Sequence, residues 1–139
     1  MEEDDELERL KRETLKKIIS TPEQPKPAKN TKPTDLTDET FDSFVASHDY
    51  VVVDFWAPWC VPCRIVSPIL EGLSKVYGDR VAFAKVNTDE NPATATRFYI
   101  EGIPTILFIK NGQVVDQIVG AYPKSYIENT LKKYLRIFF

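Results

Sequence analysis

The densest run of apolar positions in the chain is YVVVDFWA, residues 50–57, apolar on both faces of an extended strand except for one aspartate. Such a run predicts a central strand with a covering layer on either side. From Cys60 to about Tyr77, Ile65, Val66, Ile69, Leu70, Leu73 and Val76 recur at helical spacing, and Gly78 ends the pattern. Pro62 is tolerable in the first turn, whereas Pro68 lies in the interior and is expected to kink the helix where the amide bond to Arg64 is missing.

VAFAKVN, residues 81–87, reads as a short strand, and NPATATRFY, residues 91–99, opens a helix with Pro92 near its first position. In TILFIKNGQVVDQIVG, residues 105–120, Asn111-Gly112 between two β-rich runs predicts a hairpin. Tyr122 to Phe139 places Ile127, Leu131, Tyr134, Leu135 and Phe138 on one face of a closing amphipathic helix. Upstream, Thr37 is expected to cap a short helix with Asp38 and Glu39 in its first turn and Phe41, Phe44 and Val45 facing inward. With a strand at Thr34 to Leu36, the order is βαβαβα followed by ββα, which specifies an α/β protein. Its central mixed sheet has five strands, with helices on both faces.

Residues 1–33 differ in kind. Acidic residues dominate through Glu8 and basic ones follow, the order a helix macrodipole favours, and Leu7, Leu10, Leu15, Ile18 and Ile19 give a narrow apolar stripe. An amphipathic helix over about 4–19 is expected, followed by a Pro-rich linker over 20–33 carrying Pro22, Pro25, Pro27 and Pro33. Residues 34–139 then form the one folded domain.

Composition narrows the function. The 42% apolar content fills one core. The extension holds eight acidic and eight basic residues, so the net charge of −3 falls on residues 34–139, with 13 acidic against 10 basic. An acidic domain argues against nucleic acid or an anionic membrane as partner. The acidic start is unlike a secretory signal and no apolar run is long enough for a membrane helix, so a cytoplasmic protein is expected.

The candidate chemistry is concentrated in DFWAPWCVPCR, residues 54–64, which contains both cysteines and both tryptophans. At a helix start, Cys60 meets free backbone N–H groups and the macrodipole, which favour a thiolate. Cys63 lies one turn deeper on the same face. One sulfur is therefore expected to be exposed and activated, the other shielded and within ring-closing reach. Exchange follows: Cys60 attacks a substrate disulfide, and Cys63 then attacks Cys60 to release the reduced client. A structural disulfide, a metal site and inert buried thiols remain open on the residues alone. His48, the only histidine, reads as a solvated loop residue.

WCVPC, with DFWA upstream and FAKVN, GIPTILFIKNG and IVGAY downstream in that order, resembles the thioredoxin family from about Thr34 to Phe139. The resemblance implies the thioredoxin fold, no cofactor beyond the redox-active Cys60–Cys63 pair, and no metal. It implies that Asp54 is buried behind the pair and moves a proton to or from Cys63, with Lys85 near it. It also implies a cis bond between Ile103 and Pro104, whose preceding backbone pairs with a client. Trp59, Val61, Pro62, Gly120 and Ala121 would complete the client-docking rim.

Three features depart from the family's commonest pattern: Val61 where glycine is usual, Pro58 before Trp59, and the extension itself. The expected activity is reduction of protein disulfides, by a monomer recharged by a thioredoxin reductase; Val-Pro between the cysteines, with no histidine there, favours a reductant. A binding or adaptor module, a disulfide oxidase or isomerase, and a metal bridged between two chains through paired motifs are the alternatives.

Overall fold

The computed structural model describes residues 32–135. The expected helix over 4–19, nearly all of the linker, and Phe138 lie outside them. The elements run β1 (Thr34–Leu36), α1 (Phe41–Ala46), β2 (Tyr50–Trp56), α2 (Val61–Tyr77), β3 (Ala82–Asn87), α3 (Pro92–Arg97), β4 (Thr105–Lys110), β5 (Gln113–Val119) and α4 (Lys124–Leu135). They form a five-stranded sheet in the order β1-β3-β2-β4-β5. β1, β3 and β2 are parallel, and β4 and β5 are antiparallel to their neighbours. The expected element order and the central place of β2 are both present.

The sheet is covered on both faces. On one, Val52, Phe83, Ile106, Phe108 and Ile118 pack against Val66, Leu70, Leu73 and Tyr77 of α2 and against Ile127, Leu131 and Tyr134 of α4. On the other, Leu36, Val51, Val53, Phe55, Val86, Leu107 and Ile109 pack with Phe41 and Val45 of α1, and with Phe98 and Ile100 beyond α3. Each fully buried side chain of this size contributes ~1.5–3 kcal/mol. Tyr134 ties α4 to the sheet with its hydroxyl, which donates to the Ile109 carbonyl and accepts from the Val51 N–H at 3.1 Å.

The hairpin is built as its sequence dictates. Lys110 pairs with Gln113 across Asn111-Gly112, and both loop residues have positive φ, 50° and 82°, as the tight turn matching strand twist requires. α2 runs through Pro68 without interruption and ends before Gly78, whose φ of −64° is right-handed. The helix therefore stops there without a left-handed glycine.

α1 starts later than expected. The regular helix begins at Phe41 after Thr40, but Thr37 caps the turn before it as expected: its hydroxyl accepts from the Thr40 N–H (3.2 Å) and its carbonyl from the Phe41 N–H (3.0 Å). Asp38, in that turn, reaches a segment remote in sequence: its carboxylate accepts from the Thr94 N–H (2.8 Å) and hydroxyl (2.6 Å), and its N–H donates to Asn91 (2.9 Å). Asp38 thus caps α3, not its own helix. These bonds hold its carboxyl below the usual carboxylate range.

α3 ends in a Schellman motif. Tyr99 N–H donates to Thr96 and Ile100 N–H to Ala95, with Tyr99 at φ 57° in the left-handed position that glycine usually occupies. A side chain in that well costs about 1 kcal/mol or more.

Candidate functional site

Cys60 is the N-cap of α2. Its backbone is extended (φ −87°, ψ 107°) and its sulfur accepts from the Cys63 N–H at 3.2 Å, one of the free donors of the helix start. The two cysteines are joined in a disulfide with Cα atoms 5.3 Å apart, inside the range such bonds span. The expected contrast between an exposed and a shielded sulfur is not present in this oxidised form. Cys60 is 4% and Cys63 2% exposed, because Ala57, Trp56 and Ile103 close around the pair. Exposure belongs to the flanks: Trp59 and Val61 are 66% and 65% exposed, and Pro62 is exposed with them.

Opposite the helix start lies the turn before β4. The Ile103–Pro104 bond is cis, and the Ile103 carbonyl oxygen is 3.8 Å from Cys60 Sγ. The Pro104 carbonyl accepts from the Gly120 N–H at 2.8 Å, which brings the end of β5 to the same place. Gly120 has φ 109°, a conformation open to glycine and strained for other residues, and Ala121 beside it is exposed. Cys60, Cys63 and Ile103 thus meet directly, and Pro104, Gly120 and Ala121 border them.

Behind the disulfide, Asp54 is 1% exposed and neither carboxylate oxygen has a hydrogen-bond partner. Alternation along β2 puts it on the face of Val52, which packs on α2, and of Trp56, which packs on the cysteines. Burial pushes its carboxyl up to about 7, and the Lys85 ammonium draws it partly back. Lys85 is the register partner of Asp54 on β3. Its ammonium stands 5.0 Å from the Trp56 ring centroid and 3.9 Å from Asp35. It acts on Asp54 as a neighbouring charge, since no hydrogen bond joins them.

Two features escape sequence reading. The Trp59 indole N–H donates to both oxygens of Asp89, at 3.2 and 3.0 Å, and so the exposed ring is tethered. Nothing in TDEN, residues 88–91, marks that acid. The second is the buried Trp56 Nε1, which has no partner. His48 corrects an expectation: it is half-buried, its ring 4.6 Å from that of Phe44 and its Nδ1 2.9 Å from the Phe44 carbonyl oxygen. Among the described residues no group of three or more His, Cys, Asp or Glu is placed to hold a metal ion.

Comparison with known proteins places this site among relatives. The Thioredoxin family model matches residues 32–133. Thioredoxin 1 of Synechococcus elongatus is 50% identical over 101 residues, covering 72% of this chain and 94% of that protein. The M-type, chloroplastic thioredoxin of Spinacia oleracea is 45% identical over 102 residues, covering 73% of this chain and 56% of that protein. Among solved structures, a mutant thioredoxin from Halobacterium salinarum NRC-1 superposes with a TM-score of 0.73 at 29% identity, covering 81% of this chain and 98% of that one.

Proposed function

Because the chain belongs to the thioredoxin family, has its fold and is a thiol–disulfide oxidoreductase, we propose that its two cysteines pass electron pairs to protein disulfides in the order Cys60 first, Cys63 second. The observation that carries this order is the position of Cys60 as the cap of α2, its sulfur between the Cys63 N–H and the Ile103 carbonyl.

In the reduced protein, the helix N-terminus stabilises the Cys60 thiolate. That thiolate attacks one sulfur of the client disulfide; the S–S bond breaks, the other client sulfur leaves as a thiolate, and a mixed disulfide joins Cys60 to the client. Cys63 gives its proton to the Asp54 carboxylate and attacks Cys60 Sγ. The mixed disulfide breaks, the client's second thiolate departs, and the Cys60–Cys63 bond closes. The client gains two electrons and the pair loses two.

An acid with a pKa of about 7 suits the proton step, being present in both forms at neutral pH. Lys85 tunes that acid. The cis turn at Ile103–Pro104 leaves backbone groups for a client strand to pair with, and Trp59, Val61, Pro62, Gly120 and Ala121 form the rim. A thioredoxin reductase returns the electrons. The protein works as a monomer in the cytoplasm, a reducing compartment that suits a vicinal dithiol.

The test is the equilibrium of Cys60 and Cys63 against a graded thiol–disulfide buffer, followed by tryptophan fluorescence and thiol alkylation. A midpoint well on the reducing side of the glutathione pool is expected. A midpoint on its oxidising side would reverse the direction proposed.

A further inference from the structure

Tyr99 presents a contradiction. It holds the left-handed position of the α3 Schellman motif, at φ 57°, where glycine would be unstrained, and its side chain is 86% exposed. The ring therefore gains little from the core in return for a strained backbone, and an outlier of this kind points to a task outside the fold.

The surroundings supply the task. Tyr99, Glu101, Gly102, Thr105, Gln117 and Val119 line an open groove of about 180 Å³. That is well below the ~300–1,000 Å³ of small-molecule pockets, and it suits one side chain. The groove's lining residues adjoin the turn beside the disulfide along the chain: Gly102 and Thr105 flank the cis Ile103–Pro104 bond, and Val119 precedes Gly120, whose N–H is held by Pro104. The Tyr99 ring and the exposed Val119 are its apolar walls, with Glu101 and Gln117 polar among them.

We propose that Tyr99 is a specificity-determining residue, the wall of a subsite that takes an apolar side chain from the client segment beside the attacked cysteine. The inference rests on the disulfide-exchange reading above. A client strand laid along Ile103 directs its side chains alternately toward and away from the surface, and the groove lies next to that backbone. Leucine fills such a space and covers the ring; glycine leaves it empty.

The test uses the full chain, reduced, as wild type, Tyr99→Gly and Tyr99→Phe, mixed with two peptide disulfides that differ only in leucine or glycine next to the cysteine. Second-order rates come from stopped-flow tryptophan fluorescence. Wild type is expected to prefer the leucine peptide by about tenfold, ~1.4 kcal/mol, Tyr99→Phe to keep that preference, and Tyr99→Gly to lose it. Thermal melting gives the second readout: Tyr99→Gly is expected to melt a few degrees higher, because the strain is relieved, while it discriminates worse.

An equal leucine-to-glycine ratio in wild type and Tyr99→Gly overturns the proposal. So does a Tyr99→Gly variant that melts lower and slows on both peptides alike, since that describes a structural residue. Bis(hydroxyethyl) disulfide, tested on wild type, separates this failure from a deeper one: a reduced protein that reacts with no disulfide at all overturns the exchange reading together with the subsite.

Discussion

The two faces of β2 carry the same strand to different ends. Toward α1 and α3 it presents Val51, Val53 and Phe55, wholly buried in an apolar cluster. Toward α2 and the disulfide it presents Val52, Asp54 and Trp56. Among the described residues, the buried side-chain N and O atoms without a hydrogen-bond partner are Asp54 Oδ1 and Oδ2 and Trp56 Nε1, all on this second face. An unsatisfied buried polar group works against folding. The first face supplies stability; the second gives some of it up beside the cysteines, where an acid titrating near neutrality has a use.

The contrast breaks most completely at the sulfur. Cys60→Ser is expected to leave insulin disulfide reduction at the uncatalysed background while changing the melting curve of the reduced protein little. Retained turnover would remove Cys60 as nucleophile.

Next comes the apolar face. Phe55→Ala is expected to cost ~3–5 kcal/mol in urea unfolding, with the redox midpoint of the pair unmoved. A shifted midpoint would mean that the two faces are not separable.

Asp54→Ala should act with the opposite sign. The native carboxyl, with a pKa of about 7 against 3.8 when unfolded, binds its proton more tightly in the folded state. Its contribution is fully present below about pH 4, is lost as pH rises toward 7, and is level beyond that. The variant should therefore be more stable than wild type by roughly 2–4 kcal/mol at pH 8, with the difference shrinking toward pH 4. A wild type that shows no such relative decline would mean that Asp54 is paired after all.

The smallest effect tests whether that face is weak everywhere. Tyr134→Phe removes the hydroxyl between Ile109 and Val51 and should destabilise by about 1–2 kcal/mol at neutral pH. No loss would show that the hydroxyl contributes nothing to holding α4 on the sheet.

Legibility in the sequence followed the range of the interactions. β2 was readable from its solid apolar run, the β4–β5 hairpin from Asn111-Gly112, and α2 from its stripe, because each is specified by neighbours along the chain. The cap at Thr37 was readable too, but the tie between the Asp38 carboxylate and Thr94, 56 positions away, was not. The sequence placed Asp54 in a strand but could not say that its oxygens meet no donor. Nor could it tie Trp59 to Asp89, a pairing made by two loops that fold toward each other. Between Arg97 and Gly102 no glycine announces the left-handed turn that Tyr99 makes. The family resemblance supplied the cis bond at Pro104, for which local pattern gives no cue.

The β4–β5 hairpin described above carries a register shift between Phe108 and Ile109, and this bulge acts at the rim of the sheet. β5 is an edge strand with Val114, Val115 and Val119 exposed, a composition on which other chains could polymerise if the strand were flat. Phe108 pairs with Asp116 and Ile109 with Val114, so Val115 is an extra residue that bends and over-twists the edge at its most apolar point. At the opposite edge β1 is three residues long, with Pro33 before it to withhold a donor. One border is too short and the other too crooked to template a sixth strand, and the sheet terminates itself.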